Sequence, residues 1–411
     1  MTYLRLFLFG FPLFSLLHAD NGILLISPDG LSDAWKPFAE WKTSQGKPTR
    51  ILSLSEILSS EEGGDAQEKI RAAVLASIDQ DEVKWVILGA DTVAGSTEGI
   101  PTRATAHPAM GRKYREIPSD RYYLSTGDWD ANGNGRFGEW PEDLEAIQYT
   151  HEKAVIGRIP VRTAEDVKSY TDKVIAYESR KSTAPSRMVI TCAVPSAEAK
   201  LHTNASEIGK IWPEGQVEMF FTGKTPWDEK EAGDHDLSPR NWRTLINEGE
   251  VEKMHIHGHG LIQNWILEHD RKITLKDVQA LENKDRPLFV TTVSCFTGQF
   301  DHATDPCIAE AMLRKEEGGA LLVLAPSREG IPIFMNPRVE MREMVLQGKM
   351  DGTTETMTRF WQSALETPVS AGEAFAKSQA GFESNARKHP AFHFLLCELN
   401  LLGDPSLTLE R

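Results

Sequence analysis

Hydrophobic and polar positions along the chain alternate between two periods. "GILLISPDG", from Gly22, is a continuous apolar run closed by turn residues, the mark of a buried strand. Leu31, Trp35, Phe38 and Ala39 then follow at helical spacing, with Gly46 placed to end the helix. "TRILSLSEI", "AQEKIRAAVLASI" and "VKWVILGAD" continue the series as strand, helix, strand. Strands alternating with helices predict a parallel sheet with crossover helices. From Asp91 to about Ala154 the periodicity weakens into turn-rich, charged sequence, predicted to form loops over the sheet. "EKAVIGRIPVRTAEDVKSYTDKVIAYE" returns to strand and helix, and "KSTAPS", Lys181 to Ser186, reads as a linker. A second set follows, with strands at "RMVITCAV", "VEMFF", "KMHIH", "LFVTTVS" and "ALLVLA" and a helix at "PCIAEAMLRKEE". The expectation is an α/β chain of two subdomains, residues 20–182 and 187–411, with the reactive residues in the second.

The first nineteen residues stand outside this alternation. Arg5, an apolar run from Leu6 to Leu17 and Ala19 have the layout of a secretory signal peptide, and the run is too short for a membrane-spanning helix. A secreted protein, periplasmic or extracellular, is therefore expected. The 411 residues carry 45 basic against 60 acidic side chains, a formal charge of −15, with no Lys/Arg cluster, so nucleic acid is not the expected partner. Cys192, Cys295, Cys307 and Cys397 are too few and too scattered to staple a chain of this length.

Two strand ends carry the chemistry. In "KMHIHGHGLIQNW" an extended chain would set His255, His257 and His259 on one face, about 6.5–7 Å apart. Three readings follow: a zinc site, two structural histidines beside a catalytic one, or a histidine-bearing strand with no chemistry. His259 differs from the other two in sitting between Gly258 and Gly260 where the strand should end, and carboxyl ends of parallel strands face the ligand crevice. The amide of Gly260 is thereby free to donate a hydrogen bond. "RPLFVTTVSCFTGQF" likewise ends abruptly at Cys295. If the two strands are neighbours, a thiol and an imidazole meet across the crevice, the pairing that acyl transfer from a peptide requires.

These segments, together with "AVIGRIPVRTAEDVKSYTDKVIAYE", "VSCFTGQFDHATDPCIAEAMLR" and "LNLLGDPSLTL", resemble in order the conserved blocks of gingipain-type cysteine peptidases, within the caspase and legumain superfamily. The resemblance implies a caspase-like parallel-sheet sandwich and peptide or protein substrates, with no organic cofactor. It also implies Cys295 as nucleophile, His259 as its partner, backbone amides at Gly260 and Cys295 as the oxyanion hole, and Trp265 beside the cleft. Two positions depart from the pattern. Only Glu152 stands near the place of the acidic residue that accompanies arginine specificity, so that preference is not implied, and Leu261 replaces a small polar residue at the cleft rim.

"DWDANGNGRFGE" adds a calcium-loop pattern, with Asp128, Asp130, Asn132, Gly133 and Glu139 at positions 1, 3, 5, 6 and 12 and Asn134 offering a carbonyl at position 7. A structural calcium ion is expected there; the bland alternative is a solvated acidic turn. Asp120, in a Ser-Asp segment that the family shares, either supports the site or the cation from behind or stands on the surface. The leading expectation is a secreted cysteine endopeptidase. Its rivals are a zinc hydrolase built on the three histidines and a catalytically silent peptide-binding or processing factor on the same fold.

Overall fold

The structure is a computed structural model that describes residues 22–80, 83–92, 99–107, 115–149, 153–180, 187–193, 201–213, 216–222, 235–268, 271–302, 304–330, 352–366 and 368–409. Among these, one eleven-stranded sheet organises the chain. Its strand order is His235–Asp236, Val217–Phe221, Arg187–Cys192, Val251–His257, Leu288–Thr292, Ala320–Pro326, Leu399–Gly403, Val155–Arg158, Val83–Leu88, Gly22–Ser27, Thr49–Ser53. Each pair is parallel except Ala320–Pro326 with Leu399–Gly403, so the first six strands run one way and the other five the opposite way. The carboxyl ends of the first six therefore gather along one edge.

Every residue of the Gly22–Ser27, Val251–His257, Leu288–Thr292, Ala320–Pro326 and Leu399–Gly403 strands is buried. Successive residues of a strand face opposite sides, so the sheet is covered on both faces, as continuous apolar runs require. This is the expected α/β architecture, a parallel-sheet core between helices. Three features were not foreseen. Within Asp91–Ala154, expected to form loops, Arg103–His107 pairs antiparallel with Arg115–Ser119 and Thr126–Gly127 with Ile147–Gln148, short ladders that weak periodicity did not reveal. The last strand, Leu399–Gly403, lies between the two sets and runs antiparallel to Ala320–Pro326, and a separate hairpin sheet of His259–Leu261, Asn264–Glu268 and Arg271–Thr274 follows the histidine strand.

Buried charges explain two of the sequence blocks. Arg158 of "GRIP" is fully buried and clasps Asp120 through Nε–Oδ2 and Nη2–Oδ1 contacts of 2.7 Å, while its Nη1 donates to the carbonyls of Ala90 and Ile100. Asp120 is thus an interior ion-pair partner rather than a surface residue. Asp404 of "GDPS" pairs with buried Lys42 at 2.6 Å, and Lys42 also reaches Glu178 at 2.7 Å. Burial alone would raise the Asp404 pKa, but Lys42 outweighs it and holds the carboxyl below its ordinary value. An unpaired charge in such a place is costly, which ties these residues to one another.

His255 and His257 belong to the same interior. Thr291 Oγ1 accepts the indole N–H of Trp361 at 2.8 Å, which leaves its hydroxyl proton for His255 Nδ1 at 2.9 Å. His255 Nε2 then donates to His257 Nδ1 at 3.3 Å. The strand ends at His257, and His259 starts the hairpin with its side chain exposed, so the three rings are not gathered on one face as the zinc reading required. Both interior rings are held neutral. Burial, then the neighbouring His257, drives the His255 pKa well below its usual value, and burial brings that of His257 to about 4. The unfolded chain takes up a proton at position 257 near pH 6.5 that the fold refuses until about pH 4. Stability should therefore fall as pH drops through this window, and His257→Gln should flatten the decline by about 1.4 kcal/mol per pH unit. Urea unfolding at half-unit intervals from pH 7 to 4 measures it; an unchanged slope would mean that His257 is protonated in the fold.

Candidate active site

The two strands that carry the candidate residues are neighbours in parallel register, with His255 opposite Thr291 and Ile256 opposite Thr292. His259 and Cys295 each lie three residues beyond the Ile256–Thr292 pair in sequence. Gly260 makes the approach close. A Cβ there would stand 2.7 Å from the Cys295 carbonyl oxygen and 2.8 Å from Ser294 Cβ, so any larger residue would push the histidine hairpin off the cysteine loop. Leu261 and Asn264 close a two-residue hairpin turn, which makes Gly260 and Trp265 the non-hydrogen-bonded pair. The Gly260 amide therefore points away from the hairpin.

The cysteine loop is pinned on several sides. Phe296, directly after Cys295, has φ +61° and is the one non-glycine residue with positive φ among the described residues. Such a conformation persists only where its surroundings enforce it. Here the Phe296 amide donates to the Arg328 carbonyl at 2.6 Å, and the Gly298 amide to that of Pro326 at 2.9 Å. Thr297 Oγ1 donates to the Ser294 carbonyl at 2.7 Å. Arg328 is in turn anchored by two contacts to Asp301, of 2.9 and 2.6 Å, and by its Nε on the Glu116 carbonyl. The result is a sharp turn that presents Cys295 at the strand end.

All four cysteines are free, and Cys192, Cys307 and Cys397 are buried, whereas Cys295 is half-buried. Its pKa is pushed up to about 11 by burial; the backbone amide of Gly330 pulls the other way, and the carboxylates of Glu398 and Glu329 add to the rise. No hydrogen bond joins the imidazole of His259 to the thiol in the structure. Trp265 is 1% exposed and packs at 6.2 Å against Trp242, beneath the hairpin rather than along an open surface. Glu152 and the leader, residues 1–19, lie outside the described residues. Sequence reasoning did not find Arg328, Asp301 or Gly330. "SREG" reads as an ordinary turn, and only the strand order brings it beside the cysteine loop.

The Asp128–Glu139 loop has the turn its pattern requires, with Gly133 at φ +68° in the sixth position. Its acidic side chains fold onto the loop itself. Asp128 Oδ1 accepts the Asp130 amide, and the Asp130 carboxylate accepts those of Asn134 and Gly135. Glu139 takes the side-chain amides of Asn132 and Asn134 and pairs with Arg136 at 3.1 Å. Asp143, which the pattern did not include, accepts the Glu139 amide at 2.8 Å, and burial raises its pKa. Among the described residues no three His, Cys, Asp or Glu side chains stand ready as a metal cage. The oxygen-rich donor set suits calcium, but Glu139 would have to leave Arg136 to complete it.

Comparison with known proteins places this geometry in a family. The model of peptidase family C25 matches residues 17–410. Gingipain R2 of Porphyromonas gingivalis is 23% identical over 301 residues, 73% of this chain and 35% of that protein. Lys-gingipain of the same organism is 27% identical over 307 residues, 74% of this chain and 15% of that protein. The chain thus spans about a third or less of the length of these curated relatives. The crystal structure of the Arg-specific cysteine proteinase gingipain R superposes with a TM-score of 0.66 over 96% of this chain and 79% of that one, at 18% identity, a likeness of fold. No helix among the described residues is long and apolar enough to cross a membrane. With a family model matched over nearly its whole length, this chain belongs to peptidase family C25.

Proposed function

We propose that the chain is a secreted cysteine endopeptidase that hydrolyses peptide bonds of proteins or peptides with Cys295 as nucleophile and His259 as its proton partner. The observation that carries the reading is the pairing of the two strands together with the close packing of Gly260 on Ser294 and Cys295, which sets the segment after Ile256 beside the segment after Thr292. Family membership supports the reaction class, and the apolar leader with its charged start supports export.

A thiol whose pKa is pushed up to about 11 keeps its proton at neutral pH. His259 therefore takes that proton as the sulfur attacks, instead of holding a thiolate in advance. The tetrahedral oxyanion has two donors available, the amides of Gly260 and Cys295. His259 then protonates the leaving amine, and water, deprotonated by the same imidazole, releases the acyl group from sulfur. No residue preference before the scissile bond is assigned, since Glu152 is the sole acidic candidate of the resemblance and its register differs.

Calcium is proposed as a structural ion of the Asp128–Glu139 loop. Asp128, Asp130, Asn132, the Asn134 carbonyl and Glu139 would hold it. Its part is to neutralise converging oxygens and order the loop, with no role in the reaction.

Peptidyl acyloxymethyl ketones that differ in the residue beside the warhead test the nucleophile by intact mass. One adduct, absent from Cys295→Ala, is expected, together with a loss of peptidase activity of at least about 10³-fold in that variant and about 10²–10⁴-fold in His259→Ala. No adduct with any probe would overturn the reading in favour of a silent peptide binder. Iodoacetamide alkylation of Cys295 should quicken about tenfold per pH unit between roughly pH 6 and 9; a plateau from pH 6 would reveal a preformed ion pair instead. For calcium, thermal unfolding at about 10 mM Ca²⁺ should rise by about 2–5 °C over chelated protein, and Asp130→Ala should abolish the rise. Identical midpoints with and without the ion would remove calcium from the account.

A further inference from the structure

Beside the cysteine loop lies an open cavity of about 500 Å³ between the tip of the histidine hairpin and the turn after Cys295. Its apolar lining is Leu261, Ile262 and Phe296, and Gln263, Asn264, Gln299, His302 and Asp305 complete it. Leu261 is 45% exposed, which is unusual for a large apolar side chain on a well-packed hairpin. The hairpin tip is fixed, because the Ile262 carbonyl accepts the Ile308 amide at 2.8 Å from the helix that follows the cysteine block. Asn264 Oδ1 is buried and has no hydrogen-bond partner.

The side of the scissile bond that this cavity serves follows from His259. Along His259–Leu261 the two end residues are exposed and Gly260 is buried, so His259 and Leu261 share the outer face of the strand, about 6.5–7 Å apart. An imidazole that protonates the leaving amine must lie on the amine side of the broken bond. Leu261, the next residue on that face, then stands beside the amine-bearing fragment and not the acyl fragment held on sulfur.

We infer that this cavity is the subsite for the side chain just past the scissile bond, and that it selects an apolar one. The inference rests on the peptidase reading above. When the peptide C–N bond breaks, the acyl carbon is left as a thioester on Cys295 and the amine departs with a proton from His259. In reverse, the neutral amine of an amino-acid amide seated in the cavity attacks the thioester carbonyl. A C–N bond forms, the C–S bond breaks, and the amine's proton passes to His259. An amide that fits the cavity therefore competes with water for the acyl group, and the product ratio reads the subsite within one acyl-enzyme, independent of how fast that species forms.

The experiment loads the full-length chain with N-acetyl amino-acid thiobenzyl esters, then adds glycinamide, leucinamide, phenylalaninamide, aspartamide or argininamide at equal free-amine concentration. Mass spectrometry measures the ratio of acyl-amide product to hydrolysed acid. Leucinamide and phenylalaninamide should exceed glycinamide by about tenfold or more, and Leu261→Ser should bring leucinamide back to within about threefold of glycinamide. Equal ratios for all amides, a lead for argininamide drawn by Asp305, or a leucinamide preference untouched in Leu261→Ser would each overturn the subsite while leaving the nucleophile standing. If no thioester forms on Cys295 with any ester, the peptidase reading falls and the subsite with it.

Discussion

The pairing of Val251–His257 with Leu288–Thr292 sets the geometry on which the candidate site depends, and a buried polar chain locks its register. Trp361 donates to Thr291, Thr291 to His255 and His255 to His257, all in the sheet interior. A slip of one residue would turn every side chain of a strand to the other face and leave these groups buried without partners. The two histidines that invite a metal reading thus have a different task. They hold the register of the two strands that lead to His259 and Cys295.

Above the sheet edge, neighbouring strands supply what the cysteine strand lacks. The Ala320–Pro326 strand and the turn after it hold Phe296 and Gly298 through backbone bonds and place the Gly330 amide near the sulfur. The Ser327 amide donates to the carbonyl of Glu398, just before the antiparallel strand Leu399–Gly403. The chain's last strand therefore braces the loop next to its nucleophile candidate, and the Glu398 carboxylate adds to the field that keeps the thiol protonated. On the other flank, Gly260 lets the histidine hairpin pack onto Ser294 and Cys295.

Local pattern was enough to read most of the sheet. Runs such as "GILLIS", "VKWVIL" and "ALLVLA" are buried on both faces, so their composition alone betrays them. It also marked His259 and Cys295 as candidates, because glycine and turn residues interrupt each run just where these side chains stand. Period-two reasoning failed at one point: it set three histidines on a single face, whereas the chain leaves the sheet after His257 and begins a hairpin at His259. Periodicity describes a strand only while its ladder continues.

What the sequence determined by itself, then, is the strands and helices of the main sheet, the candidate residues at two strand ends and the oxygen-rich loop at Asp128–Glu139. Each of these depends on neighbours a few residues apart. The tertiary structure decided what depends on distant partners. It inserted the final strand between the two sets, paired Asp120 with Arg158 and Asp404 with Lys42, and packed Trp265 against Trp242. It also brought Arg328, Asp301 and Gly330 around the cysteine loop. Burial makes these pairings obligatory, since an interior charge without its partner is costly, but which partner each side chain meets is set by strand order, and strand order is written in no single stretch of the chain.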